Sequence, residues 1–144
     1  KTDMRQASQA VDNFMNSISG LKKLKTSVVP SIAERGYFRG YDGRKVAVPS
    51  EHKTLAGMLQ NGESTIMKWA TRQWIKDAKA EGIDFKLVTW PHDEWQTEVS
   101  GGMAVAERLG EIQRKSIETV GVELGLMCPL AGSTDIGKSW LDTH

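Results

Sequence analysis

The run Pro91-His92-Asp93-Glu94 sets two carboxylates and an imidazole side by side between two hydrophobic segments, Phe85 to Trp90 and Trp95 to Val99. Hard cations such as Mg²⁺ take oxygen ligands, usually one or two carboxylates completed by phosphate oxygens of a substrate. Adjacent like charges repel, and a cation or basic group nearby offsets that repulsion. Successive side chains of a strand point to opposite faces. A turn relaxes that alternation and brings Asp93 and Glu94 toward one site. These residues are therefore candidates for metal-assisted chemistry at a hairpin tip. On spacing alone the tripeptide also describes a solvated turn, so the surrounding elements have to decide.

Those elements can be read from hydrophobic spacing. Phe85 to Trp90 is a strand by composition, and Trp95-Gln96-Thr97-Glu98-Val99 alternates as its return strand. The connection is short, so the two must be antiparallel. Upstream, Leu55, Leu59, Gly62, Ile66, Ala70 and Trp74 recur at helical steps, joined by Met58 and Trp69, predicting one long helix over about 51–80 that ends at Glu81-Gly82. Downstream, Gly101-Gly102 opens a second long helix buried through Val105, Leu109, Ile112 and Val120. Leu126 to Ala131 reads as a third short strand with Cys128 as a buried thiol, and residues 132–144 as irregular or a single turn.

The first third predicts helix from Met4 to Thr26 with a break near Gly20, then another turn or two of helix from Val28 to Arg35, stopped by Gly36. Tyr37 to Val48 reads as a β-hairpin turning on Asp42-Gly43 as a two-residue turn. The fold class is α+β: an antiparallel sheet carrying the hairpin, packed against long helices. We expect residues 1–144 to act as one unit.

With 144 residues, 39% hydrophobic and 26% charged, the chain suits one globular domain or a piece of a larger one. No stretch approaches the roughly 20 apolar residues of a membrane span, and no signal peptide opens the chain. A single cysteine and three scattered histidines argue against an internal disulfide and a structural zinc site, and for a reducing, cytosolic compartment. Residues 1–53 hold 10 Lys/Arg against 5 Asp/Glu, a balance of +5, and the remainder balances to −4. A basic first third suits a polyanion and an acidic remainder suits cations, although two solvated faces give the same arithmetic.

Four elements in order resemble the C-terminal end of family A (Pol I-like) DNA polymerases, closest to their bacteriophage branch. Gly36 to Lys45 is similar to the family's hairpin with its Asp-Gly-Arg turn. His52 to Gln60 is similar to its glutamine helix. Val88 to Glu94 resembles motif C, the catalytic hairpin of the palm. Pro129-Leu130, Gly137, Trp140 and His144 resemble its chain ending.

The resemblance implies an incomplete polymerase domain, palm with part of the fingers, that carries out template-directed nucleotidyl transfer by a two-metal mechanism in replication. It implies Asp93 as a ligand of catalytic Mg²⁺, Glu94 supporting that site, and His92 beside the primer terminus. Gln60 would meet the minor-groove edge of the duplex, whose acceptors are shared by all base pairs. Arg44, Lys45 and His52 would lie near DNA, and His144 near the palm; Lys22-Lys23-x-Lys25 reads first as a solvated face, with duplex-phosphate contact as the alternative that the resemblance raises. The partners implied are primer–template DNA, dNTP and the remaining N-terminal part of the polymerase, without a membrane; for a phage-encoded chain the place would be the host cytoplasm.

The family's asparagine four residues before the glutamine is Ala56 here, and its frequent arginine eight residues before is His52. Neither the Asp-x-Ser-x-x-Glu motif of the first catalytic aspartate nor the Tyr-Gly or Phe-Gly of the nucleotide-binding helix occurs. We therefore expect a two-ion site completed by an aspartate outside this sequence, and no activity without the rest of the polymerase. Two rival readings are a non-catalytic nucleic-acid-binding relic and a metal-dependent phosphodiesterase.

Overall fold

The computed structural model describes residues 3–143. It divides into two compact units, Lys1–Asn61 and Gly62–His144, with the boundary inside one long helix.

The first unit starts with helix α1 (Met4–Ser17), capped by Asp3, whose carboxylate accepts from Arg5 N at 3.2 Å. The helix breaks two residues before Gly20. Ser17 turns its hydroxyl onto the Phe14 carbonyl at 2.7 Å, and Ile18 becomes extended. Such local back-bonding competes with continued helix. No residue of α1 is buried, and Met4, Val11 and Phe14 are exposed, as is Ile18 beyond it. A short helix α2 (Ser19–Lys23) and a π-helical turn (Leu24–Val28) lead into α3 (Val29–Arg35). Pro30 sits in the first turn of α3, where its missing N–H costs little. Gly36, at φ 77°, ends it as expected.

Strands β1 (Tyr37–Arg39) and β2 (Lys45–Ala47) pair antiparallel, Phe38 against Val46. The turn is longer than the two residues expected. Gly40 N donates to Arg44 O and Gly43 N to Gly40 O, both at 2.9 Å, and only Gly43 has positive φ, 80°. Asp42 keeps an ordinary φ, so the left-handed residue follows the bend, the usual form of a three-residue hairpin loop.

Helix α4 (Glu51–Ala80) covers the expected span. It closes with Gly82 at φ 70° and the bond from Ile83 N to Ala78 O at 3.0 Å. The expected stripe holds at Gly62, which is buried, and at Ala70 and Trp74, which are fully buried, but Leu59 and Trp69 are exposed. A step of four overshoots a 3.6-residue turn, so a long run of fours drifts around the helix. From Met67 onward the buried set follows Met67, Ala70, Thr71, Trp74 and Ala78 instead.

In the second unit β3 (Phe85–Thr89) and β4 (Gln96–Val99) form the expected antiparallel pair. Helix α5 (Met103–Glu123) buries Leu109, Ile112 and Val120. The core is Trp74, Ala78, Leu109 and Ile112, against which Phe85, Leu87, Trp95 and Val99 pack. The Trp74 ring lies 4.9 Å from Phe85 and 5.8 Å from Trp95, centroid to centroid, within the range of favourable tilted aromatic pairs. Arg108 of α5 reaches Glu81 beyond the end of α4 with bonds of 2.6 and 2.8 Å, and Glu111 at 2.8 Å. The Glu81 and Glu111 carboxylates push the guanidinium pKa further up, and Arg108 holds Glu81 below its usual value.

Two expectations fail in the last stretch. Leu126 to Ala131 is not a strand, and Cys128 is exposed rather than buried. This segment finds no partner strand; it lies along α5 instead. Leu130 covers Gly121, Thr134 reaches the Gly110 carbonyl at 3.4 Å, and Gly132 sits over Ile117. A Cβ on Gly110 would run into the Thr134 side chain, so α5 offers glycine-floored seats to an extended chain. A 3₁₀ turn (Trp140–Thr143) ends the described chain. Asp142 accepts from Lys138 N, Ser139 N and Ser139 Oγ at 2.9, 2.9 and 3.0 Å, and these bonds, Ser139 foremost, hold its carboxyl below the ordinary range.

The class is thus α+β as expected, with two small antiparallel sheets of two strands each rather than one. Among the described residues no helix is long and apolar enough to cross a membrane.

Candidate catalytic hairpin

The β3–β4 pair presents Pro91-His92-Asp93-Glu94 at its tip. Glu94 N donates to Pro91 O at 3.0 Å, which closes a four-residue turn. His92 takes φ 50°, the one non-glycine residue with positive φ among those described. That conformation costs an L-residue about 1–2 kcal/mol. Trp90 helps hold it by donating Nε1 to the His92 carbonyl at 3.1 Å. Strain of this kind persists where the surroundings over-determine it, and it clusters at functional sites.

Below the tip the register slips. Leu87 pairs with Thr97, but Thr89 pairs with Gln96, leaving Val88 as an extra, exposed residue. A bulge bends the strand and re-aims the side chains beyond it. Trp95 fixes the other side of the tip. Its Nε1 donates to Thr71 Oγ1 at 2.8 Å, and that hydroxyl donates to Met67 O at 2.7 Å. The hairpin is therefore anchored to α4 within this unit by an aromatic side chain and a two-step hydrogen-bond chain.

Asp93 is exposed and Glu94 half-buried. The side-chain amide of Gln96 donates to Glu94 Oε1. Asp93, Glu94 and Gln96 line one cleft of about 1170 Å³, walled in part by Leu109 and Trp140. Gln113 of α5 lines it too; this side chain is nine-tenths buried, and its Nε2 has no hydrogen-bond partner among the described residues.

Two adjacent carboxylates suit a hard cation that takes one or two protein oxygens and completes its shell from phosphate and water. Among the described residues no cluster of three or more His, Cys, Asp or Glu could hold an ion. The donor set therefore fits a shared Mg²⁺ site but not an all-protein cage.

The other sequence candidates belong to the first unit. Arg44 folds back on Asp42, Nε to Oδ2 at 2.5 Å and backbone N to Oδ1 at 3.2 Å. Partial burial raises the Asp42 pKa, but the hydrogen bonds and charge of Arg44 outweigh it and leave the pKa lowered. Lys45 Nζ stands 4.7 Å from the centre of the Tyr37 ring, a cation–π contact. His52 and Gln60 are exposed on α4, two turns apart. His144 lies outside the described residues.

Sequence reasoning overlooked Gln96 and Gln113. Gln96 opens β4 two residues beyond Glu94, close enough in the chain for the two side chains to meet. Gln113 falls four residues after Leu109 and is, with Ser116, a polar residue on the buried side of α5. Both positions were visible as spacing, but neither side chain announces a partner.

No family model matches the chain. It is 32% identical over 125 residues to a DNA-directed DNA polymerase of Escherichia phage Phieco32, covering 78% of this chain and 19% of that protein. It is 28% identical over 117 residues to the DNA-directed DNA polymerase of Escherichia phage T7, with 77% and 16% covered. DNA polymerase I of Aquifex aeolicus matches at 24% over 139 residues, 95% of this chain and 24% of that protein. Among solved structures, the POL domain of Pol1 from M. smegmatis, in complex with DNA primer-template and dNTP, superposes with a TM-score of 0.72 at 20% identity, over 82% of this chain and 23% of that one. The chain thus spans about a fifth of the length of the curated relatives it matches. The homologues that cover it are phage and bacterial polymerases of the family its ordered motifs resemble.

Proposed function

We propose that this segment, whose relatives are the family A DNA polymerases of phages and bacteria, supplies the C-terminal palm and part of the fingers to template-directed DNA synthesis. The observation that carries the reading is the tip of the β3–β4 hairpin, where Asp93 and Glu94 line one cleft beside a strained His92. The overall reaction joins a primer 3′-hydroxyl to the α-phosphate of a dNTP and releases pyrophosphate. Asp93 and Glu94 would hold Mg²⁺ together with an aspartate from outside this sequence. The chemistry such ions would supply is a lowered pKa for the attacking hydroxyl and stabilisation of the leaving oxygen. His92 contacts the primer terminus from the tip, and Trp95 keeps the tip rigid through Thr71.

The two compact units work as one polymerase segment. Gln60 meets the minor-groove edge, and Arg44, Lys45 and His52 line the DNA. The phosphate contacts position the duplex without reading its sequence. The remaining N-terminal part of the polymerase is the third partner, and the exposed apolar residues Met4, Val11 and Phe14 on α1 are consistent with a surface that larger protein covers.

On this reading the purified chain alone does not extend a primer, because one pair of carboxylates does not fix two ions. Adding the upstream part of a related polymerase restores extension, and Asp93→Asn removes it again. Extension by the lone chain, abolished by Asp93→Ala, would disprove the dependence on the missing part. Mg²⁺-dependent DNA cleavage by the lone chain would favour a phosphodiesterase instead.

A further inference from the structure

We propose that Gln96 is a positioning residue: its side-chain amide sets the Glu94 carboxylate toward the cleft and leaves its charge intact for a cation. This deepens the polymerase reading and rests on it for the role of Glu94, though the orientation of the side chain can be measured without it. The bond from Gln96 Nε2 to Glu94 Oε1 joins the first residue of β4 to a residue of the turn two positions before it. The residue between them, Trp95, is tied to Thr71. Glu94 and Gln96 flank this anchored residue and line the cleft with it. Gln96 also pairs with Thr89 directly beyond the bulge at Val88. The local bend of the hairpin and the donor that orients Glu94 thus meet at one residue.

The chemistry of the donor matters as much as its place. A carboxylate offers about four lone-pair directions, and one amide N–H occupies one of them. An Arg or Lys at position 96 would orient Glu94 as well, but its positive charge would compete with a metal ion for the same oxygens. The first hairpin shows that alternative, since Asp42 is held by the cationic Arg44. A neutral amide fixes direction without neutralising, which is what a carboxylate that works with Asp93 on a cation requires.

The test uses the chain itself, with Gln96→Met as a donor-free replacement of similar volume and Gln96→Leu as a second variant should the first fail to fold. Cross-strand NOEs between β3 and β4 report the fold. NMR relaxation of the Glu94 side chain, without metal, reports its order. Mn²⁺ titration, read as broadening of the Asp93 and Glu94 amides, reports cation affinity, with Asp93→Asn as the reference. The expected result is an intact hairpin, a newly mobile Glu94 side chain, and roughly tenfold more Mn²⁺ needed for half-broadening, the lower end of what losing a ligand's supporting hydrogen bond costs. A Glu94 side chain equally ordered in a folded variant overturns the positioning role, whatever Mn²⁺ does. Broadening that is absent in the parent chain, or unchanged in Asp93→Asn, sinks the cation reading, while the order measurement still decides the role of Gln96.

Discussion

The two hairpins of this chain solve the same local problem with opposite distributions of charge and strain. In β1–β2 the left-handed position goes to Gly43, and the nearby carboxylate, Asp42, is bound by its own neighbour Arg44 at 2.5 Å. In β3–β4 the left-handed position goes to His92, and the half-buried carboxylate, Glu94, is met by the neutral amide of Gln96. The first turn is relaxed and sets its carboxylate against a cationic neighbour. The second carries backbone strain and meets its carboxylate with an amide. The partner of a turn carboxylate is a side chain that the turn's own backbone does not dictate.

The largest test of that contrast is charge removal at each tip. In a polymerase that carries this segment, Asp93→Asn should cost about 4 kcal/mol at the chemical step, roughly a thousandfold in rate. Primer–template binding should change little, because phosphate contacts by basic residues supply most of it. Asp42→Asn should leave single-turnover rates near the parent value. Equal losses at the two positions, in a quench-flow comparison, would erase the distinction between the hairpins.

The anchor under the second hairpin comes next. Trp95→Phe keeps most of the ring but deletes the bond to Thr71, and we expect a loss of about 1–2 kcal/mol in denaturant-derived stability. Thr71→Val should reproduce most of it, and the double variant should add little. Full additivity of the two would mean that the bond is not the shared cause.

Exchanging the left-handed residues gives effects of opposite sign. His92→Gly should relieve the strained φ and stabilise the chain by about 1 kcal/mol, and Gly43→Ala should destabilise it by about as much. In an active polymerase the stabilised His92→Gly variant should extend primers more slowly, since the gain comes at a functional position. A faster enzyme would show that the strain at His92 serves nothing.

The smallest expected effect is that of acid on the first turn. The lowered pKa of Asp42 means that its contribution is fully present above the ordinary value of 3.8 and is lost as the pH falls below it through the folded pKa. Chemical shifts of the Gly43 and Arg44 amides should therefore titrate below pH 3.8, and Arg44→Ala should move that midpoint upward. A midpoint unmoved by Arg44→Ala would assign the shift to another cause.

The sequence by itself determined the span of α4, the antiparallel pairing of β3 and β4, the place of His92-Asp93-Glu94 between them and the family resemblance. Each depends on periodicity or on residues adjacent in the chain, where covalent connection does the positioning. The buried side of α4 was legible only in part, because a run of four-residue steps drifts around a helix and the packing partner chooses which stretch is covered. Leu126 to Ala131 had the composition of a strand, but a strand needs a neighbour for its backbone groups. The tertiary structure gave this segment the glycine-floored surface of α5 instead and left Cys128 exposed. The turn at Asp42 and Gly43 depended on where the ladder stops, the anchor at Trp95 on a hydroxyl 24 residues away, and the setting of Glu94 on which way the Gln96 amide points. These are choices among side-chain partners brought close by folding, and sequence spacing alone does not rank them.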